Sequence, residues 1–321
     1  PSAALGLPLP GRYYRPVASV GKLAAKIKLR GRVAAAEPMH AHTSFRLGGP
    51  ADLYLAPSDP EDLAAALAIL RDEGVPVFLL GGGTNLLVAD RGIRGAVVDL
   101  TGIRGLEAGT GTISALCGTP MDDAAGFARD RSLSGLEFAA SLPGSVGGAV
   151  WMNARCYERE IADALESVES LDGSLVLRRR PVEPGAWGYK RSPYQSASEV
   201  ILRAVFRLVP GDPRAIDETM QRHREDRVAK GHFLHPCAGS VFKNDRSFGK
   251  PTGRLIDELG LKGLRTGGAQ VAPYHGNIIV NLGDATAADV RALIERVERE
   301  VADRLGLRLE REVILAGDWR D

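Results

Sequence analysis

The sequence predicts two or three compact units, the last of them α+β, an expectation that three observations carry. The chain has 321 residues, more than one small core organises. Before Pro210, helix and strand signals are interleaved around clusters of glycine. The breaker cluster Pro210-Gly211-Asp212-Pro213 marks a boundary, and beyond it come charged helices and short strands, an α+β unit of about a hundred residues.

In chain order, residues 1–36 read as an extension: Pro8, Pro10, Gly11 and Pro16 are followed by a basic stretch from Lys22 to Arg32. The extension lacks the apolar core of a secretory signal. A basic anchor or partner-binding arm is the alternative reading. Asp59 to Glu73 has a helix grammar, with Asp59 as N-cap, Pro60 in the first turn, Leu63, Leu67 and Leu70 on one face, and Gly74 as the stop. Val75 to Leu80 reads as a buried strand, Gly95 to Leu100 as another, and Thr119-Pro120 opens a helix to about Arg131. Val200 to Val209 reads as a long strand. Past the breakers, helices are expected from Ala215 to Ala229, from near Pro251, and from Thr286 to Leu305. Strands are expected over Asn277 to Leu282 and Leu307 to Leu315.

Composition excludes several classes. Lys+Arg 41 against Asp+Glu 40 leaves a net charge of +1, so no global pull toward nucleic acid or membrane exists and anionic ligands must be met locally. No apolar run approaches the roughly 18 residues that span a bilayer. Cys117, Cys156 and Cys237 have neither disulfide-framework nor zinc spacing, which points to a reducing cytoplasm. His40/His42 and His232/His235 lack a carboxylate in register, so no metal is assigned.

Five clusters remain for chemistry. Leu79 to Val88 joins a strand to Gly81-Gly82-Gly83-Thr84-Asn85-Leu86, where successive N–H groups can form an anion-binding concavity; a tight strand-to-strand connection satisfies the same residues. It is not a dinucleotide fingerprint, because Leu86 stands at the third glycine position, and no Gly-Lys-Ser/Thr follows for a Walker loop. Ser141 to Ala154 offers the small-residue surface that a planar ring needs, although a glycine-rich turn under a helix is the commoner use of such a string. Pro236 to Asn244 sets Ser240 near Lys243 and Asn244, a proton donor or a turn residue, without the elbow of a hydrolase nucleophile. Leu309 to Val313 would put Glu310 and Glu312 on one face of the last strand, and exposed edge positions explain them equally well. Gly188 to Pro193 sets Lys190 and Arg191 near aromatics, suited to a carboxylate or phosphate, with solvated surface as the default.

Taken together and in order, these clusters and the run Thr43 to Pro57 resemble the UDP-N-acetylenolpyruvoylglucosamine reductase family over about residues 40 to 317. The resemblance implies an α+β fold of the vanillyl-alcohol-oxidase type. Two FAD-binding subdomains (37–102 and 103–211) are followed by a substrate-binding domain (212–321) whose last strand carries Glu312. It implies non-covalent FAD, NADPH as co-substrate, and reduction of the enolpyruvyl group of UDP-N-acetylglucosamine-enolpyruvate to UDP-N-acetylmuramate. A cytoplasmic monomer acting in peptidoglycan precursor synthesis, hence in cell shape and division, is implied with it.

Residue by residue, the resemblance gives Arg46, Gly81, Gly82, Gly83, Thr84, Asn85 and Leu86 to the flavin. Leu142, Pro143, Gly144, Ser145, Gly147 and Gly148 fall beside the isoalloxazine. Ser240 matches the general acid, and Glu312, rather than Glu310, the catalytic glutamate; Tyr157, Arg227, Lys243 and Asn244 match substrate contacts. Hydride addition builds negative charge beside a carboxylate, so a cation and a proton donor belong around one carbon. Two departures stand out. The family's Tyr-Arg pair reads Tyr189-Lys190, which keeps the charge but loses the bidentate fork; Lys190 is preferred over Arg191 for the basic role. Around Tyr157 two family glycines are replaced, by Arg155 and Glu158. The short stretch from Lys190 to Ser240 resembles the compact subclass, without its extra tyrosine loop.

Overall fold

The computed structural model describes residues 20–183 and 185–320. Residues 1–19, which include the proline-rich part of the expected extension, lie outside the described residues. The chain divides into two compact units. The first comprises the described residues to Glu37 together with Asp52–Gly82 and Arg94–Asp226; the second comprises Pro38–Ala51, Gly83–Ile93 and Arg227 onward.

The first unit opens with helix α1 (Val20–Lys26). Leu23 and Ile27 are buried in its core, so part of the expected extension is packed. Asp62 anchors the next residues by accepting the N–H groups of Arg30 at 2.9 Å and Gly31 at 3.2 Å. Helix α2 (Pro60–Asp72) forms as its sequence requires: Asp59 accepts the Asp62 N–H at 3.0 Å, Pro60 occupies the first turn, and Leu63, Leu67 and Leu70 are buried. Gly74, at φ 63°, turns the chain into the strand Val77–Leu80. That strand runs parallel to Ile93–Asp99 in a four-stranded sheet completed by Pro50–Ala56 and the edge strand Arg32–Pro38. A five-stranded antiparallel sheet follows, in the order Leu177–Pro181, Leu165–Leu171, Val200–Arg207, Thr112–Leu116, Leu106–Gly109.

Helix α3 (Met121–Arg129) spans the expected segment. Helix α4 (Val146–Met152) arises inside the glycine-rich string itself, with Ser145 capping it by accepting the Gly148 N–H at 3.3 Å. Its Val146, Gly147, Ala149 and Val150 are buried, and it packs on Val200–Arg207. Small residues let a helix lie this close: a Cβ at Gly147 would stand 2.9 Å from that of Cys117. Helix α5 (Pro213–Ala229) begins in the first unit.

The second unit is built on α6 (Thr252–Glu258), α7 (Ala287–Leu305) and the antiparallel strands Arg265–Thr266, Ala269–Val271 and Ile279–Asn281. Thr286 and Asp289 close a capping box on α7, and Asp90 accepts the N–H groups of Ala287 and Ala288, both at 2.9 Å. Val290, Leu293, Ile294, Val297 and Val301 form its buried stripe, each side chain contributing about 1.5–3 kcal/mol by leaving water. Phe45, Leu47 and Leu87 join this core from far upstream. A short parallel pair, Leu86–Val88 with Ile314–Ala316, completes the unit.

The last strand departs from expectation. Only Ile314–Ala316 is strand, and the segment before it makes a single bridge, Phe242 to Arg311. Lys243 donates to Glu310 O at 2.8 Å, and both Glu312 and Val313 donate to Val241 O, at 2.7 and 3.2 Å. Two donors on one carbonyl leave no regular ladder, so Glu310 and Glu312 are held by this crossing and not by a strand's alternation.

Candidate active site

The glycine loop leaves the strand Val77–Leu80 and enters Leu86–Val88, so it is a strand-to-strand connection. Its geometry also explains the glycines. A Cβ at Gly81 would stand 2.7 Å from Ser145 Oγ, and one at Gly82 2.7 Å from Gly144 Cα. Gly82 therefore lies backbone to backbone with Gly144, Gly81 faces the Ser145 hydroxyl, and neither position has room for a side chain of its own. Gly83, in the second unit, adopts φ 63° with a Cβ position 2.0 Å from His42 O. Within the first unit, the Gly82 and Gly144 backbones with the Ser145 hydroxyl beside Gly81 leave a surface of small polar groups suited to a pyrophosphate. Arg46, exposed at φ 55°, projects from a turn held by Thr43, whose hydroxyl donates to Leu47 O at 2.8 Å.

In the first unit, the loop carrying Lys190 is fastened to the end of α4. Asn153 donates to Gly188 O at 2.8 Å, Ser192 donates to Trp151 O at 2.7 Å, and Gln195 donates to Lys190 O at 3.0 Å. Gly188 and Arg191 exchange backbone hydrogen bonds across this turn, which puts Lys190 at φ 55°, half-buried, with Arg191 exposed. Leu142 packs against the same core, Pro143 is exposed, and Gly148 is exposed on α4.

Tyr157 sits with Glu158 at the tip of a hairpin between Arg155–Cys156 and Arg159–Glu160. Both tip residues have positive φ, 49° and 62°, and the Glu158 position is the second at which the family resemblance has glycine. Arg155 pairs with Glu158 at 2.8 Å and lies over the Tyr189 ring at 5.7 Å. The Tyr157 ring stacks on His223 of α5 with centroids 3.7 Å apart, and its hydroxyl lies 2.9 Å from Asp226 Oδ2 and 2.8 Å from His223 O. Sequence reading missed His223 and Asp226, which lie on a distant helix without any shared motif.

The second unit brings Ser240 and Glu312 together. Ser240 bridges Ile278, and the next residue, Val241, accepts the Glu312 N–H. Asn277 braces this segment: only 3% exposed, it accepts the Phe242 N–H at 2.9 Å, donates to Phe242 O at 2.8 Å, and its own carbonyl accepts the Val241 N–H. Asn277 was also missed, because nothing in its local sequence marks a buried amide. Glu310 is exposed and pairs with Lys243 at 2.6 Å, which separates its role from that of Glu312. Asn244 accepts the Thr252 N–H at 2.9 Å, tying its loop to α6. Arg227 lies over the Phe233 ring at 5.6 Å. Nearby, the pKa of His275 is held below its ordinary value, first by burial and then by Lys230 and Lys262. Its Nδ1 accepts the Asn277 N–H at 3.2 Å, which fits the neutral ring. Burial pushes the Cys117 thiol up to about 12, so it is inert. Among the described residues no group of His, Cys, Asp and Glu forms a metal site, and no helix is long and apolar enough to cross a membrane.

Comparison with known proteins places this geometry. The model of an FAD binding domain matches residues 51–174, the part that holds Gly81, Gly82 and the Gly144 segment, so the class is that of the FAD-binding oxidoreductases. The C-terminal-domain model of UDP-N-acetylenolpyruvoylglucosamine reductase matches residues 231–316. The reductase of that name from Treponema denticola is 43% identical over 300 residues, covering 88% of this chain and 93% of that relative. The one from Geobacter metallireducens is 41% identical over 295 residues, covering 91% and 97%. The crystal structure of UDP-N-acetylenolpyruvylglucosamine reductase from Thermus caldophilus superposes with a TM-score of 0.74 at 33% identity, over 90% of this chain and 100% of that one. The chain belongs to the UDP-N-acetylenolpyruvoylglucosamine reductase family, and its cofactor is FAD.

Proposed function

We propose that the chain uses NADPH and FAD to reduce the enolpyruvyl group of UDP-N-acetylglucosamine-enolpyruvate, giving UDP-N-acetylmuramate for peptidoglycan precursor synthesis in the cytoplasm. Family membership over nearly the whole chain is the observation that carries this reading. Cell-wall biogenesis, and through it cell shape and division, is the process it serves, with the chain acting as a monomer. In this reading residues 37–102 and 103–211 hold the flavin, and 212–321 bind the sugar nucleotide.

The backbone of Gly81 to Leu86, with Arg46, would hold the pyrophosphate, and Leu142 to Gly148 would lie along the isoalloxazine. The absence of side chains at Gly81 and Gly82 supports this, because a Cβ at either would run into the Ser145 hydroxyl or the Gly144 backbone. When bound, the flavin supplies the hydride. The protein's part is to hold the acceptor and manage charge and protons. Lys190 meets the substrate carboxylate, where negative charge grows as the double bond is reduced, and Glu312 completes the polarising pair. Ser240 delivers a proton to the carbanionic carbon through its hydroxyl. Lys190 suits the basic role better than Arg191 because its loop is fixed by Gln195 and it is half-buried, whereas Arg191 is exposed. Tyr157, Arg227, Lys243 and Asn244 contact the sugar nucleotide. NADPH and the sugar nucleotide react in turn.

The test is a coupled assay on the purified holoprotein. Substrate-dependent NADPH oxidation with formation of UDP-N-acetylmuramate supports the proposal. Flavin that NADPH reduces but the enolpyruvyl substrate never reoxidises refutes it.

A further inference from the structure

Glu312 has almost no main-chain freedom, and the cause lies partly in the glycine loop. Its N–H donates to Val241 O at 2.7 Å. Its carbonyl accepts the side-chain amide of Asn85 at 3.0 Å. One residue on, Val313 is only 4% exposed, and Ile314 donates its N–H to the backbone carbonyl of the same Asn85 at 3.0 Å. From there Leu86–Val88 and Ile314–Ala316 run in register as a parallel pair. On the other side, Arg311 makes a fork to Glu298 of α7, with both bonds at 2.6 Å. Asn85 thus takes one peptide group on each side of Val313.

The orientation of the Asn85 amide follows from chemistry. A backbone carbonyl only accepts, so the nitrogen end must face Glu312. Aspartate at this position has the right length but would set a carboxylate against the carbonyl, and serine is too short to span the gap. We propose that Asn85 is a positioning residue for Glu312, clamping the glutamate's backbone to the loop that cradles the flavin pyrophosphate. The loop then has two duties: its N–H groups serve the cofactor, and its one side-chain amide sets the glutamate. This rests on the reading of Glu312 as a group that acts on substrate.

The experiment compares wild type with Asn85→Ala and Asn85→Asp. FAD affinity is read by fluorescence titration, and the two half-reactions by stopped flow between pH 6 and 9. With FAD saturating, the two half-reactions are compared with each other, and the clamp predicts that reoxidation suffers more than flavin reduction by NADPH. Reoxidation by the enolpyruvyl substrate should slow about 30-fold, and its pH profile should shift as Glu312 loses its fixed setting. Loss of FAD affinity by tenfold or more, with both half-reactions slowed alike, would show the amide to be a pyrophosphate ligand and overturn the proposal. Unchanged reoxidation would overturn it as well. Hydrogen exchange gives a reading independent of turnover: in both variants the peptide 309–316 should exchange faster than in wild type, and equal protection refutes the clamp. If wild-type flavin is not reoxidised by the substrate, the functional reading fails, and the exchange result still decides whether Asn85 holds this segment.

Discussion

Ser240 and Lys190 bear the account's chemistry, and each makes a distinct prediction. Ser240→Ala should leave flavin reduction by NADPH intact, because no proton to carbon is needed there. The transfer from flavin to substrate should slow by several orders of magnitude, and wild-type turnover in single-turnover stopped flow would remove the proton-donor role. Lys190→Ala should slow the same half-reaction by about 100-fold, while Arg191→Ala should change it by less than about 3-fold. The reverse ranking would move the basic role one residue along. Ser240 and Glu312 are proposed from the family motifs that surround them. The partners that hold them were not legible: the buried Asn277 and the clamp from Asn85 depend on contacts between distant segments. Tyr157 was legible as a position, but its stack on His223 and its bond to Asp226 join a hairpin tip to a helix far along the chain.

Among the elements, long periodic ones were the most legible. Helix α2 has its cap, proline and stop where the sequence puts them, and α7 its Thr286 cap. Helix α4 was hidden because glycine signals turns; here small residues serve close packing against Cys117, and tertiary contact overrides propensity. The last strand was drawn too long because alternating charge mimics an exposed strand, whereas the pairing is set by the Asn277-braced segment 240–243. That brace can be tested. Asn277→Ala strands the buried N–H and carbonyl of Phe242 and should cost about 3 kcal/mol in urea unfolding; a change under about 0.5 kcal/mol would show that the brace is dispensable. The adjoining His275 adds a pH dependence. Its folded pKa lies below the unfolded value of 6.5, so as pH falls through that value the unfolded chain binds the proton first and stability drops. His275→Asn should flatten the fall in melting temperature between pH 7.5 and 5.5, a range of about one unit on either side of the ordinary histidine pKa. Equal slopes for variant and wild type would contradict the assignment.

At the scale of the whole molecule, composition and breakers suggested more than one unit, and two are found. The second core draws Phe45, Leu47 and Leu87 from segments before the breaker cluster, and the division of the chain falls within α5. Local punctuation reports where strands end; it does not report which core a distant segment joins. Function was legible because the order of motifs survives although each is weak alone, and the family's coverage of the chain agrees with that order. The central claim is that the bound flavin hands its hydride to an enolpyruvyl sugar nucleotide. It is tested most directly by reducing the holoprotein anaerobically with one equivalent of NADPH and mixing it with UDP-N-acetylglucosamine-enolpyruvate in a stopped-flow spectrophotometer. The account predicts rapid return of the oxidised flavin absorbance with stoichiometric UDP-N-acetylmuramate; flavin that stays reduced until oxygen is admitted would contradict it.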